Sequence, residues 1–325
     1  MRIQDIKALN DKGILKSVND SYSVANVGIP AGILSQMSNE VIEAIFAKRS
    51  AEEVAGSRKK VIDFADEAYF LPSLETTGKT TPYGDFAQIK VVGINPNFEQ
   101  YGHYRFSAKM TIGSLEEEQL SKAKINVFDR KMGAVMEALE IEANRTAFNG
   151  FIDNTSGNFL VYGLLNNPQL PAWNASAKTF DNMTYAEIMA FFAGAVAQLT
   201  SQTGNNINVN SKIRVCIASN KFAYLGGLVT EFGYSALDGL KKAYPNMEFV
   251  SVYEFEKAYN NQDVIYFIGE SMAGGVADTL FLGYSELARM SNLVIQEEFK
   301  SQQVSSGVVG AVVNKPLFIL RYNNI

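Results

Sequence analysis

The hydrophobic pattern of the first 60 residues is broken. Short helical patches alternate with turn signals such as "NVGIPAG". In "SNEVIEAIFAKRSAEEVAGSRKK", Val41, Ile42, Ile45 and Phe46 fall at helical spacing, with Ser38 or Asn39 available as cap. This region is too polar to build a core and reads as an arm that packs on something else. From 66 to 112 the pattern changes. "GDFAQIKVVGI" and "HYRFSAKMTIG" carry β-branched and aromatic residues, separated by the turn-forming "NPNFEQYG" and preceded by the polar "LETTGKTTPYG". The expectation is an extended, two-stranded excursion leading into a core strand at about 103 to 112.

Ser114 followed by Glu117 has the spacing of a capping box, which predicts a short helix over about 115 to 123. A longer helix follows, of about six turns, long for a globular protein. Its apolar stripe runs through Phe128, Met132, Val135, Met136, Leu139, Ala143 and Phe148, and Gly150 is the natural stop. Beyond it lies "VYGLLNNPQLPAW". There Gly163 offers backbone freedom, Leu164 and Leu165 can anchor in a core, Asn166-Asn167-Pro168 turns the chain, and Trp173 packs at a junction. Thr184 and Glu187 form another capping-box pair, opening a helix through Ile188, Phe191, Phe192, Val196 and Leu199. "SKIRVCIASN" reads as a buried strand, "KFAYLGGL" and "SALDGLKKAYP" as helices, and about 247–253, 263–269 and 278–284 as strands. That alternation predicts an α/β-type subdomain between about 180 and 290, and the tail returns to strand patterns.

Composition narrows the function. The chain has 325 residues, 47% hydrophobic and 19% charged, with a net charge of -5 and a pI near 5.2. That length is enough for one large or two ordinary domains, and the balance lacks the basic excess of a general nucleic-acid binder. A single cysteine, Cys216, excludes an intramolecular disulfide framework. The N-terminus lacks the apolar core of a signal peptide, and no window approaches a membrane span. The expected protein is soluble and made in a cytoplasm.

Candidate chemistry is sparse. Gly269-Glu270-Ser271-Met272-Ala273 imitates a nucleophile elbow, but that architecture needs a histidine after the serine, and the only histidine is His103. Gly78-Lys79-Thr80 imitates the end of a phosphate-binding loop, but Ser73 stands where its first glycine belongs. One His and one Cys cannot make a zinc site, and no EF-hand spacing occurs. Glu116-Glu117-Glu118 is most simply an acidic first helical turn, His103 a strand residue without catalytic role, and Cys216 a small core residue. No catalytic, cofactor or metal site is expected, which shifts weight towards a protein whose function is its surfaces.

The order of elements, with "YGLLNNPQLPAW" after the long helix and "VVNKPLFILRYNNI" at the end, resembles the HK97-type major capsid proteins of tailed double-stranded DNA phages. The resemblance covers most of residues 60 to 325. It implies an α+β fold with residues 1–65 as an N-terminal arm and 66–102 as an extended E-loop lying over an adjacent subunit. It further implies a peripheral domain over 103–179 with a spine helix, an axial domain over 180–290, and 291–325 returning to the peripheral domain. The axial tip would lie near "LVTEFGYSALDG" or "IGESMAGGVAD". Partners implied are copies of the chain, in pentamers and hexamers of an icosahedral shell, with portal and scaffold or decoration proteins. The shell would enclose DNA without sequence-specific binding and without a membrane. Only about 60 residues precede the core-like sequence, so a long fused scaffold is not expected. Some shells of this type are cross-linked between lysine and asparagine with a glutamate assisting; Lys79 or Lys90, Asn314, and Glu297 or Glu298 have the residue types. An encapsulin-like nanocompartment shell shares the implied fold, and a carboxylate- and metal-dependent α/β enzyme is the rival of a different class.

Overall fold

The computed structural model describes residues 48–81, 83, 85, 91–122, 126–153, 157–229, 233–270 and 279–325. The stretch with Val41, Ile42, Ile45 and Phe46 lies outside the described residues, as do Lys90, residues 230–232 of one candidate tip loop and residues 271–278 of the other. Along the chain come helix α1 (Ala51–Ala55) and strands β1 (Arg58–Lys60), β2 (Ala68–Thr77), β3 (Gly93–Gly102) and β4 (Tyr104–Gly113). Helices α2 (Ser114–Lys122) and α3 (Val127–Asn149) follow, then β5 (Phe151–Ile152), β6 (Phe159–Val161) and β7 (Asn174–Ala175). The second half contains α4 (Tyr185–Gln202), β8 (Lys212–Ala218), α5 (Ser219–Gly227), α6 (Ala236–Ala243), β9 (Met247–Val252) and β10 (Val264–Glu270). It ends with β11 (Leu280–Met290), β12 (Val294–Ile295), β13 (Phe299–Val313) and β14 (Ile319–Asn323).

Two sheets organise these elements. In the first, β13 is flanked by β4 on one side and by β11 and β12 on the other, with β1 parallel to the outer edge of β11. The long helix α3 packs on it: Val135 and Leu139 bury against Met110 and Val304. The second sheet runs β7-β14-β10-β8-β9, with β8 parallel to β9 and β10 antiparallel to β8 and β14. Helix α4 covers one of its faces through Ile188, Phe192, Val196 and Leu199, which meet Ile213, Val215, Ile265 and Phe267. The other face of β8 and β10 (Cys216, Tyr266, Ile268) shares a core with Leu282, Ala311 and Val313 of the first sheet.

The structure departs from the sequence reading in four places. The excursion is a two-stranded ribbon, but its strands are β2 and β3, so "NPNFEQYG" is strand and not turn. Pro72 and Pro96 face Phe98 and Leu74, two pairs on the same alternate set of the ladder. The Phe98 N–H donates to its neighbour Asn97 (3.0 Å), so this set makes no cross-strand bonds and tolerates prolines. Second, β11, assigned by alternation to the α/β subdomain, belongs to the first sheet, while β14 from the tail joins the second. Periodicity marks a strand but does not choose its partner. Third, Phe128 is 36% exposed, and Val127 takes its place in the buried stripe. Fourth, Ser114 forms no capping box: its N–H and hydroxyl both go to the Glu298 carbonyl (2.9 and 3.2 Å), and Glu117 pairs with Lys300.

Elsewhere the caps follow the sequence. Thr184 and Glu187 satisfy each other's backbone N–H groups at the start of α4. Lys178 and then Thr184 hold the Glu187 carboxyl down to about 2. Gly150 ends α3 in a left-handed conformation (φ 69°). Thr184→Ala is therefore expected to cost about 1 kcal/mol in chemical denaturation, and Ser114→Ala clearly less. Equal losses would show that the two sites cap alike.

Candidate assembly surfaces and the joint between the sheets

The segment after α3 is the mechanical centre of the chain. The Leu164 N–H donates to the carbonyl of Ala147 (2.8 Å), and the Leu165 N–H to that of Phe148 (3.0 Å). The Leu164 side chain is fully buried in the core shared by both sheets. Its carbonyl accepts the hydroxyl of Tyr266 on β10 (2.8 Å), a phenol that burial holds well above its ordinary pKa. Gly163 is needed for closeness, not for freedom: an added Cβ would lie 2.3 Å from the Phe148 carbonyl oxygen, while its φ is not left-handed. The Asn166 side chain accepts from the Gly163 N–H (2.7 Å) and donates to the Asn149 carbonyl (2.6 Å), closing the turn. Pro168 is exposed.

Sequence reasoning missed two contributors, Arg321 and Gln169, and read Asn167 only as a turn residue. Asn167 is 3% exposed; its amide donates to Ala311 of β13 (3.1 Å) and its oxygen accepts from the Gln169 N–H (2.9 Å). Nothing in "NNP" separates the buried asparagine from its neighbour. Arg321, buried on β14, donates Nε–H to the Pro171 carbonyl (2.8 Å) and lies over Trp173, 4.4 Å from the ring centroid. A lone cation in "LFILRYNN" was the available signal, since a buried charge must find acceptors. Trp173 also stacks on Tyr259 (4.6 Å between centroids). Gln169, finally, accepts the Tyr101 hydroxyl and donates to Glu99 (2.6 Å), pinning the ribbon's root to the joint. Burial pushes the Tyr101 phenol up to about 12.

The ribbon itself is two-faced. One face carries Tyr69, Leu71 and Tyr101, which pack on Ile62, just after β1, and on Phe281, Val309 and Val312 of the first sheet. The other presents Phe70 and Leu74 from β2 and Ile94 and Phe98 from β3, between 55% and 69% exposed. Pro72 and Pro96 complete this face, and both are exposed. A two-stranded ribbon is marginal in water by itself, and this one turns apolar side chains outward. Its root is held by the only histidine. His103 is 5% exposed, with Nδ1 2.7 Å from the Asp66 carbonyl and Nε2 2.9 Å from the Ser285 hydroxyl.

The remaining candidates are scattered. Lys79 is exposed at the end of β2. Glu297 and Glu298 precede β13 and Asn314 follows it, so the length of a 15-residue strand, roughly 50 Å, separates them. One chain does not bring these types together. Glu270, from the elbow-like stretch, pairs with the buried Arg214, and Cys216 is buried with its thiol pushed up to about 12. Among the described residues no cluster of three His, Cys, Asp or Glu is placed to hold a metal ion, and no helix is long and apolar enough to cross a membrane.

These features (an outward apolar ribbon, a rigid joint, no reactive cluster) coincide with the known relatives. The family model described as Pa193 gp26 major capsid protein matches residues 20–324. The chain belongs to that family. Its fold is similar to that in the capsid of Myoviridae phage XM1, with a TM-score of 0.74 at 13% identity over 92% of this chain and 100% of that one. It is also similar to a chain of Gordonia phage Cozz (TM-score 0.57, 12% identity, 94% and 98% covered). A third likeness is to the capsid of cyanophage P-SCSP1u (TM-score 0.54, 12% identity, 94% and 98% covered). No curated protein matches. As a major capsid protein of HK97-like fold, the chain is a structural subunit of a phage capsid shell, and its place is the virion.

Gly163→Ala is expected to destabilise this capsid subunit by at least about 1–3 kcal/mol, because backbone atoms cannot yield to the new Cβ. Gly133→Ala, in the middle of α3 with nothing within 4 Å of the added atom, should instead stabilise it by about 1 kcal/mol. Thermal denaturation of both variants checks the pair.

Proposed function

We propose that this subunit self-assembles, without catalysing any reaction, into pentamers and hexamers of an icosahedral shell enclosing double-stranded DNA. The observation that carries the reading is the ribbon's outward apolar face, which no other described part of the chain covers. Within the shell it lies over an adjacent copy, as an E-loop does. Each of Phe70, Leu74 and Phe98 would contribute about 1.5–3 kcal/mol if fully buried there. The part of residues 1–65 before α1 acts as the arm to a neighbour, while α1 and β1 pack in the body. The first sheet with α3 serves as the peripheral domain, and the second sheet with α4, α5 and α6 as the axial domain. Their boundary follows sheet membership, giving β11 to the former and β14 to the latter. The segment around Leu164 acts as hinge and anchor between them.

Repeated heterologous contacts that close by curvature require no chemical site. A net charge of -5 suits a container from which DNA must be released. Portal and scaffold or decoration proteins are the expected further partners. Lys79, Lys90, Asn314, Glu297 and Glu298 remain cross-link candidates only between copies.

Negative-stain microscopy of the purified chain should show icosahedral particles. Leu74→Glu combined with Phe98→Glu should leave circular dichroism and solubility unchanged and abolish the particles. Normal particles from the double variant would remove the ribbon from the assembly contact.

A further inference from the structure

His103 stands where the ribbon meets the body. It ties the leg leading into β2, through the Asp66 carbonyl, to the leg leaving β3, where it sits, and it ties both to Ser285 on β11. Nδ1 faces a carbonyl oxygen and so must carry the hydrogen, which leaves Nε2 to accept the Ser285 O–H. Arg105 Nε lies 3.3 Å from the same Nδ1, but the guanidinium's acceptors are the Asp66 and Ala65 carbonyls (2.6 and 3.3 Å). The site is filled by a neutral ring.

We propose that protonation of His103 loosens the root of the ribbon, so that acid lets the ribbon pivot about its remaining pin at Tyr101. A proton on Nε2 turns that atom from acceptor to donor, and the Ser285 hydroxyl must then redirect its hydrogen. Gly307 backs this contact closely: a Cβ there would lie 2.5 Å from Nε2 and 2.2 Å from the Ser285 oxygen. The new charge also joins two others. Arg105 and Arg289 both lie over the Phe64 ring, 5.9 and 5.1 Å from its centroid, and that ring meets His103 edge-on at 6.2 Å.

The other groups around the ring do not reverse this balance. Asp66 and Glu67 come from the leg before β2, and the Asp66 carboxylate also accepts the Asp63 N–H (3.1 Å). Glu286 on β11 is 4.0 Å from Arg289, β13 contributes only Gly307, and the stretch after β6 contributes Tyr162. Burial first, and Arg105 after it, keep the imidazole below its usual 6.5, against the pull of Asp66. The stabilisation from the neutral ring is therefore complete above the unfolded value of about 6.5. It is lost as pH falls through the lower folded value. The ring already borders an open groove of about 940 Å³ lined also by Phe70, Gln100 and Leu160, so space for it to move lies beside it.

The proposal rests on the ribbon being the part that reaches a neighbour, but its test uses the unassembled full chain, so failure to form particles leaves it untouched. Because the sequence has one histidine, its imidazole signal in NMR is unambiguous. Spin labels at Ser73→Cys on the ribbon and Ser107→Cys on β4, both exposed sites, report the ribbon's angle, and buried Cys216 stays unlabelled. From pH 7.5 to 5.0, the range histidine governs, the narrow distance peak should be lost in step with the imidazole titration. His103→Gln should keep the peak at both ends. An imidazole titrating at or above 6.5, an unchanged peak while it titrates, or a variant that broadens like the wild type would overturn the proposal. The two wild-type measurements decide the matter even if the variant does not fold.

Discussion

The backbone of Leu164 is hydrogen-bonded in two directions: its N–H to the last turn of α3, its carbonyl to Tyr266 in the middle of β10. The peptide groups on either side of one buried residue thus join the helix of the first sheet to a strand of the second. The geometry leaves no slack, because Gly163 runs against the Phe148 carbonyl at a distance that excludes any side chain. Asn167 adds β13, and Arg321 adds β14 through the Pro171 carbonyl. Without this segment the shared core of Cys216, Tyr266, Ala311 and Val313 would have no fixed registry, since the two sheets exchange no strand-to-strand hydrogen bonds. A rigid body is what a shell subunit must supply, because small angular errors repeat at every contact.

The ribbon obeys the opposite logic. Its root is satisfied by Tyr69, Leu71 and Tyr101, but beyond the root the inward-facing residues are Ser73, Glu75, Asn95 and Asn97, while the apolar ones face out. No other described part of the chain covers that apolar face. Burying it requires a second surface, and the free energy withheld from the monomer is then released on association. A contact of this kind is moderate alone and gains strength by repetition around a capsomer. Rigidity at Leu164 and incompleteness at the ribbon are thus complementary.

How much of this was legible in the sequence follows from the range of the interactions. The stripe of α3, its stop at Gly150 and the Thr184 cap depend on residues three or four apart, and apart from Phe128 in the stripe they are present as read. The ribbon's register was not legible, because "NPNFEQYG" carries turn composition while its prolines occupy pairs that need no cross-strand bond. Ser114 failed as a cap because a carbonyl 184 residues away, that of Glu298, competes for its hydroxyl. The exchange of β11 and β14 between sheets had no local signature either. Leu164 could be marked from "GLLNNP", but Asn167, Gln169 and Arg321 needed the fold.

The distribution of charge separates the two parts further. The buried cations Arg214, Lys221 and Arg321 are each matched by carboxylates or carbonyls. The one thiol is held high by burial. The ribbon's root holds the sequence's only histidine, whose neutral form burial favours. On the proposed reading, acid acts on the angle of the ribbon while the core beneath it stays as it is. On the proposed assembly, that is where sensitivity does least harm, because there the ribbon would regain its order from the neighbouring copy it covers.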